Sequence, residues 1–470
     1  MGKMNLDQKV RTMVDQSAAA AAAPFHTYEE AVAWINGLIP FGIRPGMDRI
    51  QRLMELLGHP ERRLKFIHVA GTNGKGSTCA FLTKVLLQGG FTVGTYTSPY
   101  ITKFTNRFQY NGEDIPEETL LELANRLEPL VAEIAGSGLG SPTMFEVSTA
   151  LAILYYGEVS YPDVVVWETG LGGRLDVTNI VHPIISVITN IGMDHTDVLG
   201  DTIQEIAMEK AGIIKPGVPV VSTVTQPEAV EILKETAAKN RTSLYLVDEQ
   251  FSYERLRGNE ESQTFRFKGP FRDMDLDISM QGEHQCANAA VAMMTLEVLR
   301  QYMAFIVDEE ELRAGFKDTF WAGRLEQVQS SPRIVLDGAH NPEGAESLAK
   351  SLPQIYKYRK LNLMMGMLAN KHHESYLQHI LPIVDTLILT EPDFRKKLDA
   401  KALGDIVEQV REKYAKHTLQ IIIEPNWKNA LEELKSRTEA EDLGVVSGTL
   451  YLIADVRSNL LGLSDSEKGW

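Results

Sequence analysis

Residues 66–78, FIHVAGTNGKGST, decide the fold of this 470-residue chain. The apolar residues at the start of this stretch predict a buried strand. The glycine-rich turn 71–77 then leads into a helical pattern over residues 78–87. A strand, a glycine turn and a helix in this order are the context of a phosphate-binding loop. Glycines let several backbone N–H groups converge on one anion, and the helix N-terminus adds its positive dipole.

The lysine of this loop, Lys75, is expected to lie along the β- and γ-phosphates of a nucleoside triphosphate, with Ser77 or Thr78 reaching a phosphate or magnesium. The sequence departs from the common G-x-x-x-x-G-K-[ST] pattern, because Val69 occupies the first glycine position and Gly76 follows the lysine. A tight turn with an exposed lysine is the structural alternative. The flanking strand and helix favour the nucleotide loop, which leaves the reaction open.

Length and composition set the broad class of the protein. A chain of 470 residues is too long for one core, and 44% apolar with 23% charged residues is typical of a globular protein. A formal charge of −16 argues against nonspecific nucleic-acid binding. No apolar run reaches the ~18 residues of a membrane span. Cys79 and Cys286 lie in helix-like stretches and predict core residues in a reducing cytoplasm.

The sequence predicts an α/β protein in three parts. Residues 1–24 form a flexible tail, and residues 25–321 form an ATP-binding domain with a parallel sheet and a small antiparallel addition. Residues 322–470 form a smaller Rossmann-like α/β domain, because strand and helix patterns alternate again from residue 333. Weak alternation over residues 252–281 predicts the antiparallel strands.

Polar residues follow several predicted strands at their carboxyl ends, where ligands bind in parallel sheets. Glu168 and His195 follow the apolar runs 164–167 and 184–188, and both are placed to hold magnesium. A salt-bridged or helix-capping carboxylate and a hydrogen-bonded loop histidine are the structural alternatives. The aperiodic segment 97–108 is a candidate substrate lid.

Eight motifs in order resemble one family over residues 27–470. They read GTNGKGS, TSPY, ETGLGGRLD, NIGMDH, AMEKAGIIK, HQCANAA, GRLE and DGAHNP. Together they are similar to folylpolyglutamate synthase and to the bifunctional dihydrofolate synthase/folylpolyglutamate synthase of the Mur ligase superfamily. The resemblance implies ATP-dependent addition of L-glutamate to a folate or to dihydropteroate through an acyl phosphate, by a monomer in the cytoplasm. It leaves open whether dihydropteroate is a substrate.

The resemblance also implies the site residues. ATP would contact Gly71, Thr72, Asn73, Gly74, Lys75, Gly76, Ser77, Asn288, Arg324, Asp337 and His340. Mg²⁺, as two ions, would be held by Ser98, Glu168 and His195, and Lys210 would be carbamylated. A lysine in an acidic helix is otherwise most often a surface ion pair. The pterin would be held by Thr143, Phe145, Leu175, Asp176 and Val177, with Met144 where a second aromatic is common. The catalytic residues would be Lys75, His195, Lys210, Asp337 and His340.

Three other functions are compatible with parts of the sequence. A cell-wall amino-acid ligase of the same superfamily would need a separate domain of roughly a hundred residues before the loop, and only two helical patterns precede it here. A P-loop ATPase or kinase is disfavoured by the nonstandard loop and by the second Rossmann-like domain. An inactive folate-binding module is hard to reconcile with a complete set of ATP and metal residues and with Arg324 at the hinge between the two predicted domains.

Overall fold

The computed structural model describes residues 24–38, 46–416, 418–463 and 467. The predicted tail therefore lies outside the described residues, apart from its last position. The described chain forms two α/β halves, each built on its own sheet, and a small antiparallel sheet. No helix within the described ranges is both long and apolar enough to cross a membrane.

The first half is built on an eight-stranded sheet. Its strands are β1 (Phe66–Ala70), β2 (Val93–Tyr96), β3 (Phe108–Tyr110), β4 (Glu113–Asp114), β5 (Val164–Glu168), β6 (Ile185–Ile188), β7 (Val220–Ser222) and β8 (Leu244–Leu246). The strand order is β4-β3-β2-β5-β1-β6-β7-β8. Neighbouring strands in the series β2-β5-β1-β6-β7-β8 are parallel. Strands β3 and β4 pair antiparallel at the β2 edge of the sheet. The central strands are buried on both faces, which explains their continuous apolar sequences.

Helices cover both faces of this sheet. They are α1 (Tyr28–Gly37), α2 (Asp48–Leu56), α3 (Lys75–Gln88), α4 (Glu117–Ala135), α5 (Met144–Leu154), α6 (Thr196–Leu199), α7 (Ile203–Ala211), α8 (Pro227–Lys239), α9 (Glu283–Met303) and α10 (Glu309–Lys317). One core cluster lies between the sheet, α3, α9 and α10, and a second lies between the sheet, α1, α2, α4 and α5. Between α8 and α9, strands β9 (Ser252–Gly258), β10 (Gln263–Lys268) and β11 (Asp273–Ile278) form the predicted antiparallel addition.

The second half is built on a six-stranded sheet. Its strands are β12 (Glu326–Ser330), β13 (Arg333–Leu336), β14 (Leu361–Met365), β15 (Thr386–Glu391), β16 (Gln420–Asn426) and β17 (Leu443–Ser447). The order is β12-β13-β17-β14-β15-β16, and only the pairing of β12 with β13 is antiparallel. The flanking helices are α11 (Pro342–Ile355), α12 (His373–Ile380), α13 (Ala400–Tyr414), α14 (Trp427–Arg437) and α15 (Leu450–Leu461). The predicted fold class is therefore confirmed, and a domain boundary near residue 321 stays a prediction.

The carboxyl ends of the parallel strands carry the predicted site. The phosphate loop follows β1, Ser98 follows β2, Glu168 ends β5, and His195 lies after β6. Asp337 directly follows β13 of the second sheet. Because β5, β1 and β6 are neighbours in the first sheet, their loops emerge side by side.

Candidate active site

The phosphate loop is held in shape by the loop that follows β6. The backbone N–H of Thr72 donates to the carbonyl oxygen of Asn190 at 3.0 Å, and the N–H of Asn73 donates to Oδ1 of Asn190 at 2.7 Å. The Thr72 hydroxyl also accepts from the N–H of Gly192 at 3.0 Å. The loop conformation is thus fixed before any ligand binds, as a pre-formed anion site requires.

Two glycines of the loop are required by close approach of other side chains. Gly74 has φ of +81° at the N-cap of α3, and a Cβ there would lie 2.2 Å from Oδ1 of Asn288. A Cβ on Gly76 would lie 2.8 Å from Nε1 of Trp321. Ser77 is buried and accepts a hydrogen bond from Nε2 of Gln285 at 3.3 Å. The loop therefore packs against α9 and against the residue just before the second half.

Lys75 is the centre of the charged groups at this edge of the sheet. Its Nζ donates to the carbonyl oxygens of Gly71 and Thr72 at 3.0 Å and 3.3 Å, so the ammonium lies over its own loop. The charge of Lys75 lowers the pKa of Glu168, of His195 and of Lys210. Three predicted site residues from three different elements therefore converge on the phosphate loop.

Glu168 is a buried carboxylate beside Ser98. Burial raises its pKa to about 7, although Lys75, the N–H of Ser98 and Arg324 each lower it. Oε2 accepts from that N–H at 2.9 Å, whereas Oε1 takes no hydrogen bond from any residue that the structure describes. A buried carboxylate with a free oxygen fits Mg²⁺, which prefers oxygen ligands.

His195 has the properties of a neutral imidazole ligand. Its backbone φ is +52°, and its side chain is 39% exposed. Burial lowers its pKa to about 4 despite the neighbouring Asp194, and nearby cations lower it further, so the ring is neutral at pH 7. Across the described ranges, no three His, Cys, Asp or Glu side chains are grouped as a metal site. The donors present fit Mg²⁺, and the ion itself remains a proposal.

Lys210 lies on α7 and is buried, which is unusual for a lysine. Burial, and then the charge of Lys75, lower its pKa to about 7, whereas Asp194 and Asp176 raise it. A large part of the Lys210 population is therefore a neutral amine at physiological pH. Because Lys210 is buried, the alternative of an ordinary surface ion pair is excluded.

The second half brings its predicted residues to the same edge. Arg324 lowers the pKa of both Glu168 and Asp337. Asp337 is buried and accepts from the N–H groups of Leu325 and Ala339 at 3.0 Å and 2.9 Å, so it also shapes the Arg324 turn. Nδ1 of His340 donates a hydrogen bond to the carbonyl oxygen of Gly338 at 2.8 Å.

The residues predicted to hold the pterin lie together but differ in exposure. Phe145, on α5, packs so closely on Gly170 that a Cβ there would lie 2.4 Å from the ring. Leu175 is 36% exposed, whereas Val177 is 7% exposed. Asp176 is buried and accepts from the N–H groups of Leu171 and Thr178 at 2.7 Å and 3.0 Å.

Thr143 and Asp176 both have structural partners. Thr143 is the N-cap of α5 and forms a capping box with Glu146. Asp176 is the N-cap of a short 3₁₀-helix, and burial raises its pKa. Their predicted contacts with the substrate stay predictions.

The structure places two further residues at this site, Asp194 and Trp321, which the motifs did not indicate. Asp194 stands inside the NIGMDH motif beside His195 and contacts three side chains of the second half. Trp321 covers Gly76 of the phosphate loop. The position of Asp194 in a motif was a signal that could have been used, whereas the Trp321 contact depends on folding.

Comparison with known proteins first defines the class. The model of the Mur ligase middle domain matches residues 69–296, and that of the Mur ligase glutamate ligase domain matches residues 323–450. The two matches cover the phosphate loop, the candidate metal ligands and the second sheet, so the protein is a Mur ligase.

The relatives define the family more narrowly. Dihydrofolate synthase/folylpolyglutamate synthase of Bacillus subtilis is 39% identical over 440 residues, which are 93% of this chain and 100% of the relative. Folylpolyglutamate synthase of Thermotoga maritima has a similar structure, with a TM-score of 0.81, 33% identity and coverage of 94% and 98% of the two chains. That of Mycobacterium tuberculosis, complexed with ADP and AMPPCP, gives a TM-score of 0.83, 28% identity and coverage of 94% and 100%. The chain belongs to the dihydrofolate synthase/folylpolyglutamate synthase family.

Proposed function

We propose that this chain uses ATP to add L-glutamate to the carboxyl group of a folate, and dihydropteroate is the second acceptor to be tested. The observation that carries this proposal is that the charge of Lys75, on the phosphate loop, acts on both Glu168 and Lys210, while Asn341 of the second half is hydrogen-bonded to Asn73 of the same loop. The bifunctional name of the Bacillus subtilis relative supports testing both acceptors.

The reaction needs activation because a carboxylate is a poor electrophile. The terminal phosphoryl group of ATP passes to the folate carboxylate, which gives ADP and an acyl phosphate. The glutamate amine then attacks the acyl carbon, and inorganic phosphate leaves as the amide forms and the amine loses a proton. Phosphoryl transfer depends mainly on positioning and on neutralising charge.

Lys75 supplies the fixed positive charge in this proposal. Its Nζ now donates to carbonyl oxygens of its own loop, at distances up to 3.3 Å. A bound triphosphate offers this ammonium anionic oxygens, which form stronger hydrogen bonds than neutral carbonyls do. α3 begins at Lys75, so the N–H groups of its first turn belong to the same loop.

Ser98, Glu168 and His195 are the residues that would hold Mg²⁺. Bound there, Mg²⁺ would neutralise phosphate charge. Glu168 contributes a buried anion beside Ser98, and His195 contributes a neutral imidazole. A carbamate on Lys210 would convert a buried amine into a carboxylate-like ligand for a second ion. The lowered pKa of Lys210 supports this assignment, since only the neutral amine reacts with carbon dioxide.

The second half excludes water from the acyl phosphate in this proposal. Asn341 and Arg324 bring second-half groups against the phosphate loop and beside Glu168. One chain thus supplies both sides of the site, which supports a monomer as the active species. Cys79 and Cys286 are both free and buried, which is consistent with a cytoplasmic location.

An ADP-release assay tests the function directly. We expect ADP release to require both L-glutamate and tetrahydrofolate, and parallel reactions with dihydropteroate to show whether that acid is also used. Replacing Lys75 by alanine should lower the rate by about 10²–10³-fold, the scale for removing one preorganised charge stabiliser. ADP release that is independent of glutamate would instead support an ATPase or a kinase. Unchanged turnover in Lys75→Ala would remove the loop from the mechanism.

A further inference from the structure

A largely buried lysine of the second half, Lys371, pairs with a carboxylate of the first half. Lys371 lies between β14 and α12, and its Nζ donates to Oδ1 of Asp194 at 2.8 Å. Each of the two side chains is only 9% exposed. A charge pair with so little exposure is screened weakly by water, and either partner alone would be an uncompensated buried charge.

Asp194 connects this lysine to the rest of the candidate site. Its Oδ1 also accepts from the backbone N–H of His195 at 2.9 Å, and its Oδ2 accepts from Nδ2 of Asn341 at 3.1 Å. Nε2 of His340 lies 3.6 Å from Oδ2. One carboxylate therefore contacts three side chains of the second half and the backbone of a candidate metal ligand.

Asn341 extends the same contact to the phosphate loop. Its Nδ2 donates to Oδ1 of Asn73 at 3.0 Å, and its Oδ1 accepts from Nδ2 of Asn73 at 3.3 Å. That Oδ1 also accepts from the N–H of Gly344 at 2.9 Å, so Asn341 is the N-cap of α11. The orientation of α11 is thus tied to both Asp194 and the loop.

A neighbouring contact between the halves, from Met193 to Glu343, involves only one charged group. The N–H of Met193 donates to Oε1 of Glu343 at 2.8 Å, which is a single hydrogen bond to one charged group. Among the residues described, only the pair of Lys371 and Asp194 joins opposite full charges at this place, and each of the two side chains is only 9% exposed. This ion pair is therefore the stronger of the two contacts that hold the halves together here.

We propose that Lys371 is a positioning residue, which pairs with Asp194 and thereby holds the second half closed over the phosphate loop. Through Asp194 it fixes the backbone of His195, and through Asn341 it fixes Asn73. Neither the motifs nor the comparisons assign Lys371 a role. The inference rests on the proposed function only for its turnover readout, because closure is measured separately.

A distance measurement on the full chain tests this inference. Spin labels on cysteines introduced at two exposed helix positions, Glu235→Cys on α8 and Lys401→Cys on α13, report the separation of the halves. The native cysteines are buried and should not react with the label. We expect Lys371→Met to broaden the distance distribution and to move its mean outward by at least ~3 Å. We also expect turnover to fall by about 10²-fold, as for small misplacements of reacting groups. Any loss of AMPPCP affinity should occur only together with the displacement, because Arg324, Asp337 and His340 of the second half are expected ATP contacts.

Matched variants identify the cause. Lys397 forms an ion pair of the same length, 2.8 Å, with Glu391 inside the second half, although the Lys397 side chain is 44% exposed. Lys397→Met therefore removes a pair that does not join the halves and should leave the distance distribution unchanged. Lys371→Arg keeps the charge and should restore the distance in large part. In an Asp194→Asn background, Lys371→Met should add little further displacement.

Three results would overturn the proposal. The first is a wild-type distance distribution in Lys371→Met. The second is a tenfold or greater loss of AMPPCP affinity at unchanged distance, which would make Lys371 a nucleotide-binding residue. The third is full displacement by Lys371→Met when Asp194 is already Asn. If Lys371→Met does not fold, Lys371→Arg and Asp194→Asn carry the same distance test. Wild-type protein without glutamate-dependent turnover would refute the proposed function and leave the distance result valid.

Discussion

Glu168 carries a charge whose burial opposes folding, and this cost can be measured. Its pKa is raised from 4.5 to about 7, chiefly by burial. A carboxyl group whose pKa is higher in the folded protein stabilises the fold at low pH, and that contribution is lost as the pH rises through the folded value. The difference between a pKa of 4.5 and one of about 7 corresponds to about 3 kcal/mol.

The perturbation is Glu168→Gln, which keeps the shape of the side chain and removes its charge. Without metal, in EDTA, the variant should be more stable than the wild type by about 3 kcal/mol at pH 8. The advantage should fall to about 1 kcal/mol at pH 5, because most of the wild-type side chain is then protonated in the folded state. Urea unfolding at the two pH values measures both differences.

Glu146 provides a control of the opposite sign. It is equally buried, but its carboxylate pairs with Nε of Arg49 at 3.0 Å and accepts from the N–H of Thr143 at 2.7 Å. Glu146→Gln should therefore destabilise the protein, by about 3 kcal/mol for a broken buried pair. A Glu168→Gln variant that is no more stable than the wild type at pH 8 would refute the reasoning. The stabilised variant should also need more magnesium for turnover, and unchanged magnesium dependence would refute the ligand assignment.

Two further substitutions test the loop and the buried lysine. Gly74→Ala should abolish AMPPCP binding in a calorimetric titration, because its Cβ would meet Asn288 at 2.2 Å, whereas Gly90→Ala, with similar φ of +79° and open space, should leave binding unchanged. Equal binding by both variants would contradict the close approach. Lys210 has a pKa of about 7, so ¹³C NMR with labelled carbon dioxide should show a carbamate signal at pH 8 that weakens at pH 6. Survival of that signal in Lys210→Ala would assign it to another amine.

The main elements of the fold follow from sequence pattern because their burial is regular. The strands β1, β5 and β6 are apolar throughout, and α3 follows a glycine turn, so periodicity and turn chemistry agree. The strands β7 and β8 were not predicted. Each has only three residues, which is too short for a period to be recognised. The edge strands β3 and β12 form by pairing with β2 and β13, and such pairing cannot be predicted from the local sequence.

The site was predictable where residues stand in motifs next to a strand end. Glu168 and His195 are of this kind, and the structure places both near Lys75. Lys371 could not be found in this way, because its partner Asp194 is 177 residues away in the chain. Trp321 likewise gains its position against Gly76 only on folding, because the two residues are far apart in the chain.

The charged groups around Lys75 share one electrostatic property, which links the fold to the function. Burial raises the pKa values of Glu168 and Asp337 and lowers those of His195 and Lys210, so each ionised form is opposed by its surroundings. Selection for stability alone would favour apolar residues at these positions. A triphosphate with Mg²⁺ brings charges of both signs, which can compensate a buried carboxylate and a buried ammonium at once. We therefore interpret these groups as a site for a charged ligand, in line with the proposed function. Because Arg324 of the second half is among the cations that lower the pKa of Glu168, this compensation requires both halves.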